Sequence, residues 1–225
     1  MTVKKRPWWK GWIPAAGLVV ILVGVGIATS VMINNGLGQP APKPTEGQVT
    51  DLNWSSFSEE GLDYIARTRQ VRIDMSTQPV DAAAIGLAAD DTLVLERIDT
   101  GDTLLDYDLI INGGGEGFGG GRFVVTDITI VTQGGVVTSV SAPLRDVVNF
   151  RQTLDMLTDK AEIWGWDTAA RDEAFAIAEQ ATRDGVPYEF TFGPADKAGV
   201  PISATASCDT SGFCVVTYTA TPATE

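Results

Sequence analysis

The 225-residue chain has a formal charge of −13 that is distributed very unevenly. Lys4, Lys5, Arg6 and Lys10 are the basic residues that precede an apolar segment, so 12 of the 16 basic residues and all 29 acidic residues follow it, a formal charge of −17. Such a surface repels phosphate backbones, which argues against a nucleic-acid partner. The chain has no histidine and two cysteines, which excludes Ser-His-Asp catalysis, His-ligated metals and four-thiolate metal sites.

Residues 12–33 form an uncharged apolar segment. As a helix they span about 33 Å, enough for a hydrocarbon core of ~30 Å, so the segment is predicted to be a transmembrane helix. Trp8 and Trp9 suit the membrane interface, and positive charge on one side predicts a cytoplasmic tail over residues 1–11. We therefore expect a single-pass cell-membrane protein whose C-terminal domain is extracytoplasmic. A cleaved signal peptide is the alternative.

A Pro- and Gly-rich stretch follows this segment, and residues 34–50 are predicted to be an extended tether. The folded domain is then expected over residues 51–225, with two lobes, 51–143 and 144–225, as an open possibility. Ser56-x-x-Glu59 is a capping-box pattern that predicts a helix through Arg69. A second, short helix is predicted over residues 79–89.

Alternating apolar residues then predict about four antiparallel strands. They cover residues 92–98, 103–111, 122–132 and 136–142. The first two strands are separated by residues 99–102, which contain Gly101, and the last two by Gln133-Gly134-Gly135. Both separators are typical of hairpin turns.

An apolar stripe at spacings of three and four predicts an amphipathic helix in the second half. Its members are Val147, Phe150, Leu154, Leu157, Ala161 and Trp164. Another helix is predicted from Asp167 or Thr168 to Gly185, and strands are predicted over residues 188–192, 200–207 and 213–220. The order of helices, strands, helices and strands favours an α+β fold, with helices packed on antiparallel sheet.

Gly115-x-Gly117-x-x-Gly120 has the spacing of a dinucleotide-binding loop, which must be followed by a helix. The residues that follow, RFVVTDITIV, are typical of a strand. The Gly-rich segment 113–121 is therefore predicted to be a hairpin loop, and no cofactor is expected.

Asp106 and Asp108 form an acidic pair that alternates with apolar residues. Strand alternation predicts that both face solvent, opposite Tyr107 and Leu109. Together with Asp99 and Asp102 they are weak candidates for a calcium site, although the spacing is not that of an EF-hand. No other metal ligands and no catalytic residues are predicted.

Two further features concern tryptophans and cysteines. Trp164-Gly165-Trp166 resembles a carbohydrate-stacking platform, but indoles at the junction of two helices are expected to close the core. Cys208 and Cys214 flank a turn-rich pentapeptide between two strands, which predicts a disulfide across a hairpin. An extracytoplasmic location permits its oxidation.

These features favour a membrane-tethered extracytoplasmic binding or envelope-assembly module without catalytic activity, with a protein or another component of the cell envelope as its partner. The alternative is a carboxylate-based hydrolase acting on cell-wall glycan, which requires two acids converging in a cleft. A transmembrane signal transducer is disfavoured because about eleven residues lie on the cytoplasmic side.

Overall fold

The computed structural model describes residues 43–50, 52–115 and 120–224, and Pro44–Glu225 form one compact unit. The predicted cytoplasmic tail and transmembrane helix, together with most of the tether, lie outside the described residues. No helix in the described part of the chain is long and apolar enough to cross a membrane. Residues at the end of the predicted tether belong to the compact unit, because Val49 pairs with Ser55 and a turn joins Thr45 to Gln48.

Helix α1 spans Glu59–Thr68 and begins two residues later than the capping-box pattern predicts. Ser58, not Ser56, is the N-cap, and its Oγ accepts a hydrogen bond of 3.3 Å from the amide of Gly61. The Ser56 hydroxyl instead accepts from the amide of Ser58. Two acidic residues, Glu59 and Glu60, then occupy the first turn, where the helix dipole favours negative charge.

Helix α2 spans Phe150–Trp164 and helix α3 spans Ala170–Asp184. The predicted apolar stripe is the buried face of α2, except that Val147 lies before the helix and is exposed. Asn149 caps α2 by accepting from the amide of Gln152. Helix α3 ends at Gly185 as predicted, but its N-cap position is Ala169, which provides no side-chain cap.

In the part of the chain that the structure describes, twelve strands form three sheets. They are β1 (Gln70–Asp74), β2 (Asp91–Leu95), β3 (Ile98–Asp99), β4 (Leu104–Leu105), β5 (Tyr107–Asn112), β6 (Gly120–Val125), β7 (Ile128–Gln133), β8 (Val136–Pro143), β9 (Val148–Asn149), β10 (Tyr188–Ala195), β11 (Ile202–Cys208) and β12 (Phe213–Ala220). The largest sheet is antiparallel, with order β10-β11-β12-β8-β7-β2 and β9 beside β12. A second sheet has the order β1-β5-β6, and β3 pairs with β4.

The three α-helices of the described residues and the large antiparallel sheet confirm the α+β class. The large sheet joins strands from both halves of the domain. The predicted strand over residues 122–132 is wrong in one respect. The segment forms two strands in different sheets, because the strand is interrupted at Thr126 and Asp127. The Asp127 carboxylate accepts from the Thr126 hydroxyl and from the amide of Arg97, which holds the break.

The short helix predicted over residues 79–89 is also wrong, because the described segment has a single 3₁₀ turn, Ala83–Ile85. Its backbone bonds to the β7–β8 hairpin instead. Asp81 forms a bridge with Val136, and the amide of Ala82 donates to the carbonyl of Gly135. One strand pairing was not predicted either: β1 is parallel to β5.

One hydrophobic core fills the domain, and it includes the buried faces of both larger sheets and of α2. Trp164 and Trp166 are buried in it, and the Trp166 indole donates to the carbonyl of Ile202. The expectation that these indoles close the core is confirmed, so they present no stacking platform.

The predicted Cys208–Cys214 pair is present, with an Sγ–Sγ distance of 1.98 Å. The two cysteines lie directly opposite each other in the β11–β12 hairpin.

The Gly-rich segment also connects two antiparallel strands, β5 and β6, as predicted. Its first residues pack backbone to backbone against another turn: a Cβ at Gly113 would lie 2.1 Å from the Ala198 carbonyl oxygen. Residues 116–119 lie outside the described part.

Candidate functional site

Two adjoining cavities lie where β5, β6 and the segment after β8 meet. The first, which we call the polar pocket, has a volume of about 490 Å³ and contains Arg97, Asp106 and Asp108 in its lining. The second, the apolar pocket, has a volume of about 400 Å³. Val124 and Arg145 line both, so the two pockets are neighbours, and together we call them the Arg145 site.

Asp106 is the centre of the polar pocket. Its Oδ1 accepts from both Arg97 Nε, at 2.7 Å, and Arg97 Nη2, while its Oδ2 lies 3.3 Å from Arg145 Nε. The side chain is only 12% exposed. The prediction that Asp106 lies on a solvated strand face is therefore wrong, because it precedes β5 and two arginines cover it.

Asp108 is likewise paired rather than freely solvated, with its side chain 21% exposed. Arg122 Nε donates to Asp108 Oδ1 at 2.8 Å and Nη2 to Oδ2 at 2.6 Å. This two-pronged contact raises the pKa of Arg122 and follows from strand register. Arg122 lies opposite Ile110, so Asp108 is its diagonal neighbour across the β5–β6 pair.

Arg145 is positioned by hydrogen bonds that reach both larger sheets. The amide of Leu144 donates to the Val216 carbonyl on β12 at 2.7 Å, and the amide of Arg145 donates to the Val124 carbonyl on β6 at 3.4 Å. The backbone of this segment is thus fixed, while 60% of the Arg145 side chain remains exposed. Its guanidinium is therefore held at the boundary between the two pockets and is open to solvent.

The apolar pocket has hydrophobic walls and a basic edge. Its walls include Phe123, Leu144, Val148, Met156 and Tyr218. Three cations, Arg122, Arg145 and Lys160, line it together with one acid, Asp146. A few polar groups around an apolar cavity are the usual composition of a small-molecule site.

Lys160 is the distinctive cation of this pocket. It is half-buried, yet it forms no ion pair or hydrogen bond with any residue in the described part of the chain. Met156 lies one turn earlier on α2, so the two side chains line the same face of the helix. A lysine of this kind packs its stem against apolar atoms and leaves its ammonium available to an anionic partner.

Tyr218 forms part of the wall and is 4% exposed. Its ring packs against Phe123 and Trp166, with centroid distances of 4.7 and 6.0 Å. Its hydroxyl has no hydrogen-bond partner among the described residues, and burial raises the pKa of Tyr218. An unpaired buried hydroxyl costs about 1–3 kcal/mol.

The Arg145 site concentrates basic residues on an otherwise acidic chain. Five of the 12 basic residues that follow the apolar segment line it, against three of the 29 acidic residues. The five are Arg69, Arg97, Arg122, Arg145 and Lys160, and the three are Asp106, Asp108 and Asp146. The local charge therefore has the opposite sign to that of the surrounding domain.

Three of the four aspartates considered for calcium have contacts of their own, at separate places. Asp106 and Asp108 pair with arginines, and Asp99 accepts a hydrogen bond of 2.7 Å from the amide of Gly101 in the β3–β4 turn. Across residues 43–50, 52–115 and 120–224, no three carboxylates or thiolates are grouped as metal ligands. Asp106 and Asp108 line the polar pocket.

A separate aromatic cleft of about 570 Å³ lies between α2, α3 and β10. Phe150 forms its centre and contacts Phe175 and Tyr188 edge to face, at 5.5 and 6.0 Å. Arg151 lines this cleft and is exposed. The cleft has fewer basic residues than the Arg145 site, so Arg151 is a reference position for the effect of charge outside that site.

The four arginines and Lys160 of the site were not predicted from the sequence, since they come from five separate segments. The one local signal was Met156 followed by Lys160 at helical spacing, beside the apolar stripe of α2. Together, the fold and the site define an α+β domain with an apolar pocket edged by cations. The chain matches no protein-family model, no curated protein and no solved structure.

Proposed function

We propose that the chain is a non-catalytic binding module, held at the cell membrane by residues 12–33, whose extracytoplasmic domain binds an anionic ligand at the Arg145 site. The apolar segment and the basic residues before it support the topology. The ligand is a component of the cell envelope, on which the domain acts by binding or by helping assembly.

The concentration of basic residues at the Arg145 site carries this proposal. A domain of charge −17 repels anions in general, so five cations around two connected pockets need a local reason. Structural pairing with Asp106 and Asp108 accounts for Arg97 and Arg122. It leaves Lys160 without a partner among the residues that the structure describes, and Arg145 largely exposed.

The pairing of the acids supports binding over glycan hydrolysis. A general acid or nucleophile must be free to exchange a proton or to attack the substrate. Asp106 is held by two arginines and Asp108 by one. Glu189, on β10, is exposed and accepts from the Ser207 hydroxyl. A hydrolase that used any two of these three acids would need both released from such contacts.

The test is anion binding by the full-length protein and by charge-removing variants. Equilibrium dialysis with acetate, phosphate and decanoate should detect binding of at least one anion. Arg145→Gln should weaken that binding about fivefold or more, because each ion pair with a partly exposed arginine contributes about 1 kcal/mol. Arg171→Gln is the matched control, since Arg171 forms an exposed pair with Asp155 on another surface. The proposal fails if none of the three anions binds, or if both variants lose affinity equally.

A further inference from the structure

The apolar pocket identifies the chemistry of the anion more closely. We infer that it binds an organic carboxylate with an apolar body, whose carboxylate pairs with Lys160 and whose body lies against Met156 and Val148. This inference rests on the proposed function, because it names the ligand class of the same site.

Lys160 provides the first argument. Arg122 is occupied by Asp108 and Arg145 contacts Asp106, whereas Lys160 has no partner among the described residues. Its side chain is also half-buried at the apolar pocket, so its stem lies against apolar atoms while its ammonium is available to a ligand. A ligand anion at this position gains a full ion pair without first displacing an internal carboxylate.

The two arginines provide the second argument, because they already hold carboxylates. Arg122 holds Asp108 through two parallel contacts of 2.8 and 2.6 Å, and Arg145 lies 3.3 Å from Asp106. The pocket edge is thus arranged for a planar, two-oxygen anion. Arg145 lines the same pocket as Lys160 and its side chain is 60% exposed, so we infer that the ligand carboxylate contacts both cations.

The walls provide the third argument. Phe123, Leu144, Val148 and Met156 present hydrocarbon and sulfur atoms, and the cavity of about 400 Å³ lies within the range of small-molecule sites. Unbranched, polarisable methionine adapts its side chain to ligands of different shape. An inorganic anion would leave these walls in contact with water, whereas an apolar body removes them from it.

The experiment is a titration of the full-length protein, labelled with ¹³C at its methionine methyl groups, with acetate, hexanoate and decanoate. The Met156 methyl signal reports on the apolar pocket, and that of Met75, buried in the core, is the internal reference. The inference predicts that Met156 shifts and Met75 does not. Affinity, expressed against free ligand in water, should rise about fourfold for each methylene that enters the pocket.

Two variants of α2 separate the charge of Lys160 from general electrostatics. Lys160→Met retains an apolar stem and should weaken decanoate binding about tenfold while keeping the chain-length dependence. Arg151→Met removes one exposed positive charge from the same helix, at the aromatic cleft, and should leave affinity unchanged.

The outcomes distinguish this inference from the proposed function. Equal affinity for acetate and decanoate, with Met156 unmoved but with loss on Arg145→Gln, overturns the inference and leaves anion binding in place. Equal losses in Lys160→Met and Arg151→Met overturn it as well. Absence of binding by any of the three carboxylates and by phosphate refutes both.

Discussion

Replacing Asp106 by Asn should increase the affinity for an anionic ligand. Asp106 uses Oδ1 for Arg97 and Oδ2 for Arg145. Asn retains a carbonyl oxygen for Arg97, but its amide group then faces the Arg145 guanidinium, donor against donor. The substitution therefore releases Arg145 from Asp106 and keeps one contact to Arg97. The exposed Asp146, 3.9 Å from Arg145 Nε, is then the remaining acidic neighbour of Arg145.

The expected magnitude follows from the exposure of the pair. The Arg145 side chain is 60% exposed and that of Asp106 12%, so screening limits their interaction to about 1 kcal/mol. Releasing Arg145 should thus raise anion affinity about fivefold. Because Asp106 loses its charge beside Arg97, the same substitution should lower the free energy of unfolding by about 1–2 kcal/mol.

The assay combines a binding titration with urea unfolding of the same preparations. Asp155→Asn is the control, because this substitution removes the same charge from an exposed surface, where Asp155 pairs with Arg171 at 3.4 Å. The control should change neither the anion affinity nor the free energy of unfolding by more than a small fraction. Unchanged or weaker binding in a folded Asp106→Asn protein would refute the view that Asp106 competes with the ligand for Arg145.

Three further predictions concern stability and topology. Burial raises the pKa of Tyr218 above its ordinary value of 10.0, so the unfolded chain loses this proton at a lower pH than the folded chain. The contribution to stability is complete below about pH 10, and the free energy of unfolding falls above it by about 1.4 kcal/mol per pH unit. Tyr218→Phe should reduce that slope in urea unfolding from pH 9 to 11, and an unchanged slope would contradict the assignment. Unreduced, denatured protein should contain no titratable thiol, and two free thiols would refute the disulfide. Replacing Cys208 and Cys214 by Ser should lower the free energy of unfolding by about 2 kcal/mol, since the bond closes a short loop. Protease added to intact, wall-stripped cells should remove the domain beyond Asn34 and leave a membrane-held stub; protection of the domain would reverse the topology.

Local patterns were sufficient for many elements of the fold. Gly134 and Gly135, both with positive φ, close the β7–β8 hairpin, as the tripeptide with Gln133 predicts. The α2 stripe and the Cys208–Cys214 pair were also found from spacing alone. In each case the interacting residues are close in sequence, so periodicity and turn chemistry describe them fully.

Elements determined by distant contacts were not predictable in this way. The break at Asp127 depends on the amide of Arg97, and the parallel β1–β5 pairing joins segments about 38 residues apart. The solvent-facing assignment of Asp106 failed because the arginines that cover it lie at positions 97 and 145. Strand alternation predicts the direction of a side chain, but it does not predict which residues from other segments contact that side chain.

The most direct test of the account is to locate the bound anion by NMR of the arginine Nε–H and lysine ammonium groups during a decanoate titration. The account predicts that Arg145 and Lys160 shift together and saturate at one ligand per protein. Arg151, at the aromatic cleft, and Arg171, on an exposed surface, should remain unchanged. Saturable shifts at Arg151 or Arg171 without any at Arg145 and Lys160 would place the binding site elsewhere and contradict the account.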